Sequence, residues 1–230
     1  MLIAEDLLLL LTADDTGRLA VRGTTMKFAL GGALLAELTL LQRVDLAGPD
    51  ERVKERRLIV RDASATGDEM LDEALATVGR KEGKKPQSVV AALGKRTRVR
   101  LYARLAAAGL LRAEEGRILG IFPTRRWPAE HTAYEKEVRA SLVTALRHGE
   151  TTDPRTRALV SLLHALKAAH KAVAPDSVGL SKPELKANAK RIAEGDWVGK
   201  AVRSAIDTQT AIIASSAAAS SSSHGGGGGS

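Results

Sequence analysis

The sequence predicts a mainly α protein, a single helical domain carrying short β-hairpins. Length and composition point there first. The chain has 230 residues, 44% of them hydrophobic and 27% charged, which suits one ordinary globular domain, or at most two small ones. Apolar stretches long enough for helices recur along the whole chain, whereas short runs bounded by turn residues are few. Cysteine is absent, which excludes disulfides, thiolate zinc sites and a cysteine nucleophile and suits a reducing compartment.

Residues 2–12 read as a buried helix, since Leu7 to Leu11 form an unbroken apolar run. Glu5 and Asp6 stand where a signal peptide would be basic. The run is far short of the roughly 20 residues needed to span a bilayer, so membrane contact is expected to be peripheral. Asp14-Asp15-Thr16-Gly17 signals a turn, and residues 19–22 read as a short strand. Residues 29–41 are small and apolar with Glu37 as their only charge, a buried helix with close neighbours. Gly31-Gly32 within it lacks the spacing of a phosphate loop. Residues 43–46 and 57–60 flank Gly48-Pro49-Asp50 as two strands around a turn. Ser64 to Asp68 opens a helix to about Val78, with acids in its first turn.

A polar connection over residues 80–86 leads to helices at 88–93 and 97–108, with Gly109 as a C-cap. Glu114-Glu115-Gly116 reads as a hairpin turn between Leu110-Leu111 and residues 118–122, followed by a loop over 123–128. A helix is predicted over 132–148. Asp153-Pro154 pairs an N-cap with Pro at the first helical position and opens a long apolar helix to about Val173. Two more helices are expected between 182 and 213. From residue 214 the chain is an Ala, Ser and Gly tail, expected to be disordered.

The charge is concentrated. Lys and Arg number 35 against 27 Asp and Glu. Between Glu82 and Glu114 there is no acidic residue, while Lys84, Lys85, Lys95, Arg96, Arg98, Arg100, Arg104 and Arg112 are basic. These eight account for the whole excess, so the segment points to a polyanionic partner, either nucleic acid or anionic lipid. On a helix, Lys95 and Arg98 share a face, Arg96, Arg100 and Arg104 form a second stripe, and Thr97, Leu101, Leu105 and Ala108 lie between them as a buried edge. Residues 118–128 place Ile118, Leu119, Ile121 and Phe122 beside Arg125, Arg126 and Trp127, a combination suited to a membrane interface or to core packing beside a loop.

Other chemistry finds little support. His164 and His170 are six apart, which is not a same-face pair, and no carboxylate stands at ligand spacing to them. No Ser, His and Asp arrangement suggests nucleophilic catalysis. Glu5, Asp6 and Glu37 sit in apolar surroundings, where salt bridges or helix-end contacts are their ordinary role. Neither an enzyme, a metal nor a cofactor is expected.

Several segments together resemble one family. Leu2-Ile3-Ala4-Glu5-Asp6-Leu7-Leu8 forms an acidic, leucine-rich opening. Gly32-Ala33-Leu34-Leu35-Ala36-Glu37-Leu38 follows a Gly-x-x-Leu-x-Glu-Leu pattern, with Gln42-Arg43-Val44 after it. Thr66-Gly67-Asp68, Leu71-Asp72-Glu73-Ala74-Leu75, the Gly-Leu-Leu ending at Leu111 and Asp153-Pro154-Arg155 complete the set. This pattern, over residues 1–213, resembles the Golgi phosphoprotein 3 family in its actinobacterial form. The resemblance implies a mainly α domain with one projecting β-hairpin. It also implies peripheral membrane association through phosphatidylinositol 4-phosphate and adaptor contacts with the cytosolic tails of membrane proteins. The family's paired arginines fall on Lys95 and Arg98, its pocket tryptophan near Arg22 and its remaining pocket arginine on Gly31. Its hairpin, which contacts membrane or other subunits, falls on residues 118–127, giving Leu119, Ile121, Phe122, Arg125, Arg126 and Trp127 a membrane or self-association role. The expected location is cytoplasmic, at the inner face of a membrane. A winged-helix DNA-binding module, with the basic helix at 95–108 and the hairpin at 117–128, is the competing reading.

Overall fold

A helix with no polar face has to lie at the centre of its domain, and the first two helices are of this kind. The computed structural model describes residues 1–13, 16–112, 114–118, 122–127 and 133–221. Helix α1 (Ile3–Leu10) is buried along its whole length, Glu5 and Asp6 included. Helix α2 (Gly23–Leu40) buries eleven of its residues and packs against α1 on one side. On its other sides lie α4 (Pro86–Leu93), α7 (Pro154–Ala165) and α11 (Trp197–Ser221). The remaining helices are α3 (Glu69–Gly79), α5 (Thr97–Ala107), α6 (Ala133–His148), the single turns α8 (Ala169–Ala172) and α9 (Pro175–Val178), and α10 (Lys182–Ile192). The mainly α expectation is met. The hairpins are β1 (Val44–Leu46) with β2 (Leu58–Val60) and β3 (Glu114–Ile118) with β4 (Phe122–Arg126), both antiparallel.

Glycine sets how closely α2 and α4 approach. A Cβ on Gly31 would fall on the Val90 carbonyl oxygen, and one on Gly94 would fall on the Lys27 carbonyl oxygen. Two backbones therefore meet where side chains elsewhere keep helices 8–10 Å apart. The α4–α5 corner is pinned to the first half of α2 as a result. Asp68 caps α3 through the N–H groups of Met70 and Leu71, and Asp153 caps α7 through those of Arg155 and Thr156. Ser181 and Glu184 form a capping box on α10.

Five local expectations are corrected. Residues 19–22 contribute only the isolated bridge Thr12↔Leu19, because α2 starts at Gly23, six residues earlier than expected. Its Gly and Thr opening is weakly helical, and packing overrides that propensity. Glu114 to Gly116 belong to strand β3, not to a turn, and residues 123–126 to strand β4, not to a loop. The register sets Glu114 opposite Arg126 and Glu115 opposite Arg125. The long apolar helix expected to reach Val173 stops at Ala165. Lys167 takes a left-handed φ of 55°, and the Ala168 N–H returns to the Leu163 carbonyl at 2.9 Å. Buried residues on both sides of this reversal, Leu166 and Ala168 among them, conceal it in the hydrophobic pattern. Finally, α11 runs through the boundary expected after residue 213 and ends at Ser221; residues 222–230 lie outside the described residues.

The glycine contacts yield a stability prediction. Gly31→Ala should destabilise the protein by about 1–3 kcal/mol, the usual cost of overpacking, since the obstructing atom is backbone. Gly79→Ala, where a Cβ meets nothing within 4 Å, should instead be neutral or stabilising by about 0.5–1 kcal/mol. Urea unfolding of the two variants measures both.

Candidate phosphate-binding surface

The basic segment folds as α4, a tight corner and α5. Thr97 donates its hydroxyl to the Leu93 carbonyl at 2.6 Å, and Arg96 takes a left-handed φ of 61°. The chain turns without lengthening the connection. Thr97, Leu101 and Leu105 of the expected apolar stripe are buried, whereas Ala108, which follows the last turn of α5, is exposed. The two basic stripes have different fates.

Arg104 points inward. Its Nε donates to Glu5 at 2.9 Å and its Nη1 to Asp68 at 2.7 Å. Arg100 lies between Glu69 and Glu73 of α3. For Arg100 and Arg104 the expectation of polyanion contact is corrected: both guanidinium groups are paired with carboxylates from elsewhere in the chain, whereas Arg96 of the same stripe is exposed. Burial alone would depress the Arg104 pKa, but Asp68 and Glu5 hold it above its ordinary value.

Lys95 and Arg98 face outward and are exposed. Among the described residues neither pairs with a carboxylate. Arg98 lies across the start of α2: a Cβ added to Gly23 would be 2.8 Å from its Nη1. That helix start has Arg22 as an N-cap with no side-chain hydrogen bond, and no acid in its first turn. Its first N–H groups therefore point free, at the positive end of the macrodipole. Exposed Arg22 and Lys27 stand on the same helix start. Arg22, Lys27, Lys95 and Arg98 thus gather around free backbone donors, an arrangement made for a phosphate or another compact anion.

Gly31 does not belong to this surface. It is buried in the α2–α4 contact, where its lack of a side chain is a packing requirement. The headgroup-binding role that position suggested for it is corrected accordingly. Trp127 is half-buried and its ring stacks on Tyr102 with centroids 5.0 Å apart and planes 2° from parallel. The Tyr102 hydroxyl reaches the Thr12 hydroxyl at 3.3 Å, and burial raises its pKa. Trp127 therefore packs the foot of the hairpin against α5. Leu119 and Ile121 lie outside the described residues; Phe122, Arg125 and Arg126 lie in β4.

Three contributors were missed from sequence: Lys27, the bare helix start at Gly23, and Val99. Val99 follows Arg98 and is 68% exposed, the most exposed large apolar residue among the described ones. A charge-free opening turn was visible in Gly23-Thr24-Thr25, but the strand expected over 19–22 hid it. No group of three His, Asp or Glu among the described residues could hold a metal ion.

The Golgi phosphoprotein 3 (GPP34) family model matches residues 3–209, so the chain belongs to this family. A search of curated proteins found no match.

The two stripes can be separated by stability. Arg104→Met strands the buried Glu5 carboxylate and should cost up to about 3 kcal/mol, the lower end for breaking a buried pair. The Lys95→Ala/Arg98→Ala double variant should lie within about 0.5 kcal/mol of wild type, as exposed substitutions do. Chemical denaturation of both variants checks the assignment.

Proposed function

We propose that this member of the Golgi phosphoprotein 3 family is a peripheral membrane protein that binds the phosphorylated headgroup of an anionic lipid. Lys95, Arg98 and Arg22 act as the phosphate contacts. The observation that carries the reading is the convergence of unpaired cations with the uncapped start of α2. By family resemblance the headgroup is that of phosphatidylinositol 4-phosphate, and the bound protein acts as an adaptor for membrane-protein tails. No described helix is long and apolar enough to cross a membrane.

The physical steps are simple. A phosphate brought to Gly23 accepts hydrogen bonds from backbone N–H groups, and the charged side chains supply the attraction. Lys27 adds a fourth cation. Each cation held near an anionic surface contributes about 1 kcal/mol, so three or four supply a reversible binding of about millimolar strength, and the backbone donors and apolar contact add to it. Exposed Val99 stands beside Arg98 as an apolar group able to enter the acyl boundary. That placement favours a membrane over duplex DNA, whose backbone would confront an apolar side chain. The winged-helix reading is weakened further because Arg100 and Arg104, on the helix that would enter the groove, are already paired.

Liposome co-sedimentation tests this with neutral phosphatidylcholine vesicles, phosphatidylglycerol vesicles and vesicles carrying phosphatidylinositol 4-phosphate. Wild type should pellet with one or both anionic types and not with the neutral one. The Lys95→Ala/Arg98→Ala variant removes two contacts of about 1 kcal/mol each and should lower partitioning roughly 30-fold. Val99→Asp should weaken it too. Tight binding of duplex DNA with no pelleting on any vesicle would overturn the lipid reading.

A further inference from the structure

A second cationic surface lies away from the basic segment, in a hollow between α7, α8, α10 and α11. Its volume is about 370 Å³, in the range of small-molecule sites. Leu163, Leu185 and Ala189 close its base, each almost wholly covered, and the accessible wall above them is mostly carbon. The mouth is cationic. Lys182 and Lys186 stand one turn apart on α10, Lys167 projects from the left-handed turn after α7, and Arg203 comes from α11. Arg203 is held in place by donating to the His164 carbonyl at 2.6 Å.

No carboxylate is among the lining residues, and among the described residues none forms an ion pair with these four cations. Glu184, on the same helix, is committed to the Ser181 cap through bonds of 2.8 and 2.6 Å. A neighbouring hollow shares His164 and Arg203 and is lined also by Glu194 and Asp207, together with Lys190 and Lys200. An anion is therefore directed to the Lys182 and Lys186 end. The two histidines register the resulting potential. Burial lowers the His164 pKa, and Arg203, Lys186 and Lys190 lower it further; burial, Lys182 and Lys171 do the same to His170.

Four uncompensated cations around a mostly carbon wall make an unusual combination. The cations repel one another and call for an anion. The accessible wall of the hollow is mostly carbon, and covering it favours an apolar group. An ion as small as inorganic phosphate satisfies the first demand and not the second. We infer that this hollow binds an anion carrying an aliphatic chain, a fatty carboxylate or an alkyl phosphate. The chain lies along the carbon wall above Leu163, Leu185 and Ala189, and the head sits among Lys182, Lys186 and Arg203. The site is independent of the Lys95 and Arg98 surface.

Titration calorimetry on the full chain tests this with dodecanoate and dodecyl phosphate, both below their micellar concentrations. Dodecyltrimethylammonium, dodecyl maltoside and inorganic phosphate serve as comparisons. At least one dodecyl anion should bind, and which is tighter distinguishes carboxylate from phosphate. Each comparison compound should bind at least roughly tenfold more weakly, since each lacks either the charge or the chain. Lys182→Glu/Lys186→Glu should weaken the anion at least roughly tenfold by reversing two nearby charges. Its melting temperature should be unchanged, because both lysines are exposed. The ring resonances of His164 and His170 should shift on binding, and Lys95→Ala/Arg98→Ala should leave the affinity unaltered. No binding of either anion overturns the inference. So does equal binding of dodecyltrimethylammonium or of inorganic phosphate, or indifference to charge reversal at Lys182 and Lys186.

Discussion

Everything in this fold is arranged around two carboxylates on a helix that has no solvent face. Glu5 and Asp6 are 3% and 1% exposed, and an unpaired charge so placed would cost several kcal/mol. Each is answered by groups from distant elements. Glu5 accepts the Leu2 N–H at 2.6 Å and the Arg104 guanidinium. Asp6 accepts the Tyr134 hydroxyl at 2.6 Å and Arg155 at 2.7 Å. Arg155 continues to Glu37 and to the Met1 carbonyl, while Glu37 accepts the Ile3 N–H. One network thereby joins α1 to α2, α5, α6 and α7. Burial on its own would lower the Arg155 pKa, yet Asp6 and Glu37 raise it, and burial together with Asp6 raises that of Tyr134. A pair of this kind adds little net stability compared with apolar packing, but a wrong arrangement of helices would leave a charge stranded.

The network also determines what the basic helix presents to solvent. Arg104 must turn toward Glu5, and its neighbour one turn earlier, Arg100, then falls against α3. The opposite edge of α5 is left to Arg98, with Lys95 at the corner before it. Gly94 and Gly23 complete the arrangement, the first by letting the corner sit on the Lys27 carbonyl and the second by giving Arg98 room over the start of α2. The candidate phosphate surface is thus a consequence of how the core neutralises its acids, and changes in the core should be felt there.

This explains what could be read from the sequence and what could not. Helices with an apolar run or a side-chain cap, such as α1, α3 and α7, announce themselves locally, and so did the charge accumulation between residues 83 and 113. The separation of structural from available arginines did not, because Arg104 meets Glu5 across 99 positions and Asp68 across 36. Gly31 looked like an altered binding residue because family position says nothing of the α4 backbone lying against it. The packing of Trp127 on Tyr102 was not legible either, because a tryptophan's type suits an interface and a core equally well. The reversal at Lys167 carried no Gly or Pro to mark it.

Charge counted along the chain and charge arranged in space differ for a related reason. In sequence, the residues outside the basic segment are neutral as a group. In the folded protein, Glu5, Asp68, Glu69 and Glu73 are spent on arginines of that segment, so the remainder is left with uncompensated cations. Asp6 and Glu37 are in turn shared on the single Arg155. The excess therefore reappears where no linear count placed it, at the rim formed by Lys167, Lys182, Lys186 and Arg203. The two cationic surfaces differ in what surrounds the charge. The first is an open helix start with backbone donors and suits a headgroup approached from a membrane plane. The second is concave and aliphatic beneath, so an anion there must bring apolar surface of its own. One net charge, divided by the folding of the core, produces two surfaces with separate chemical demands.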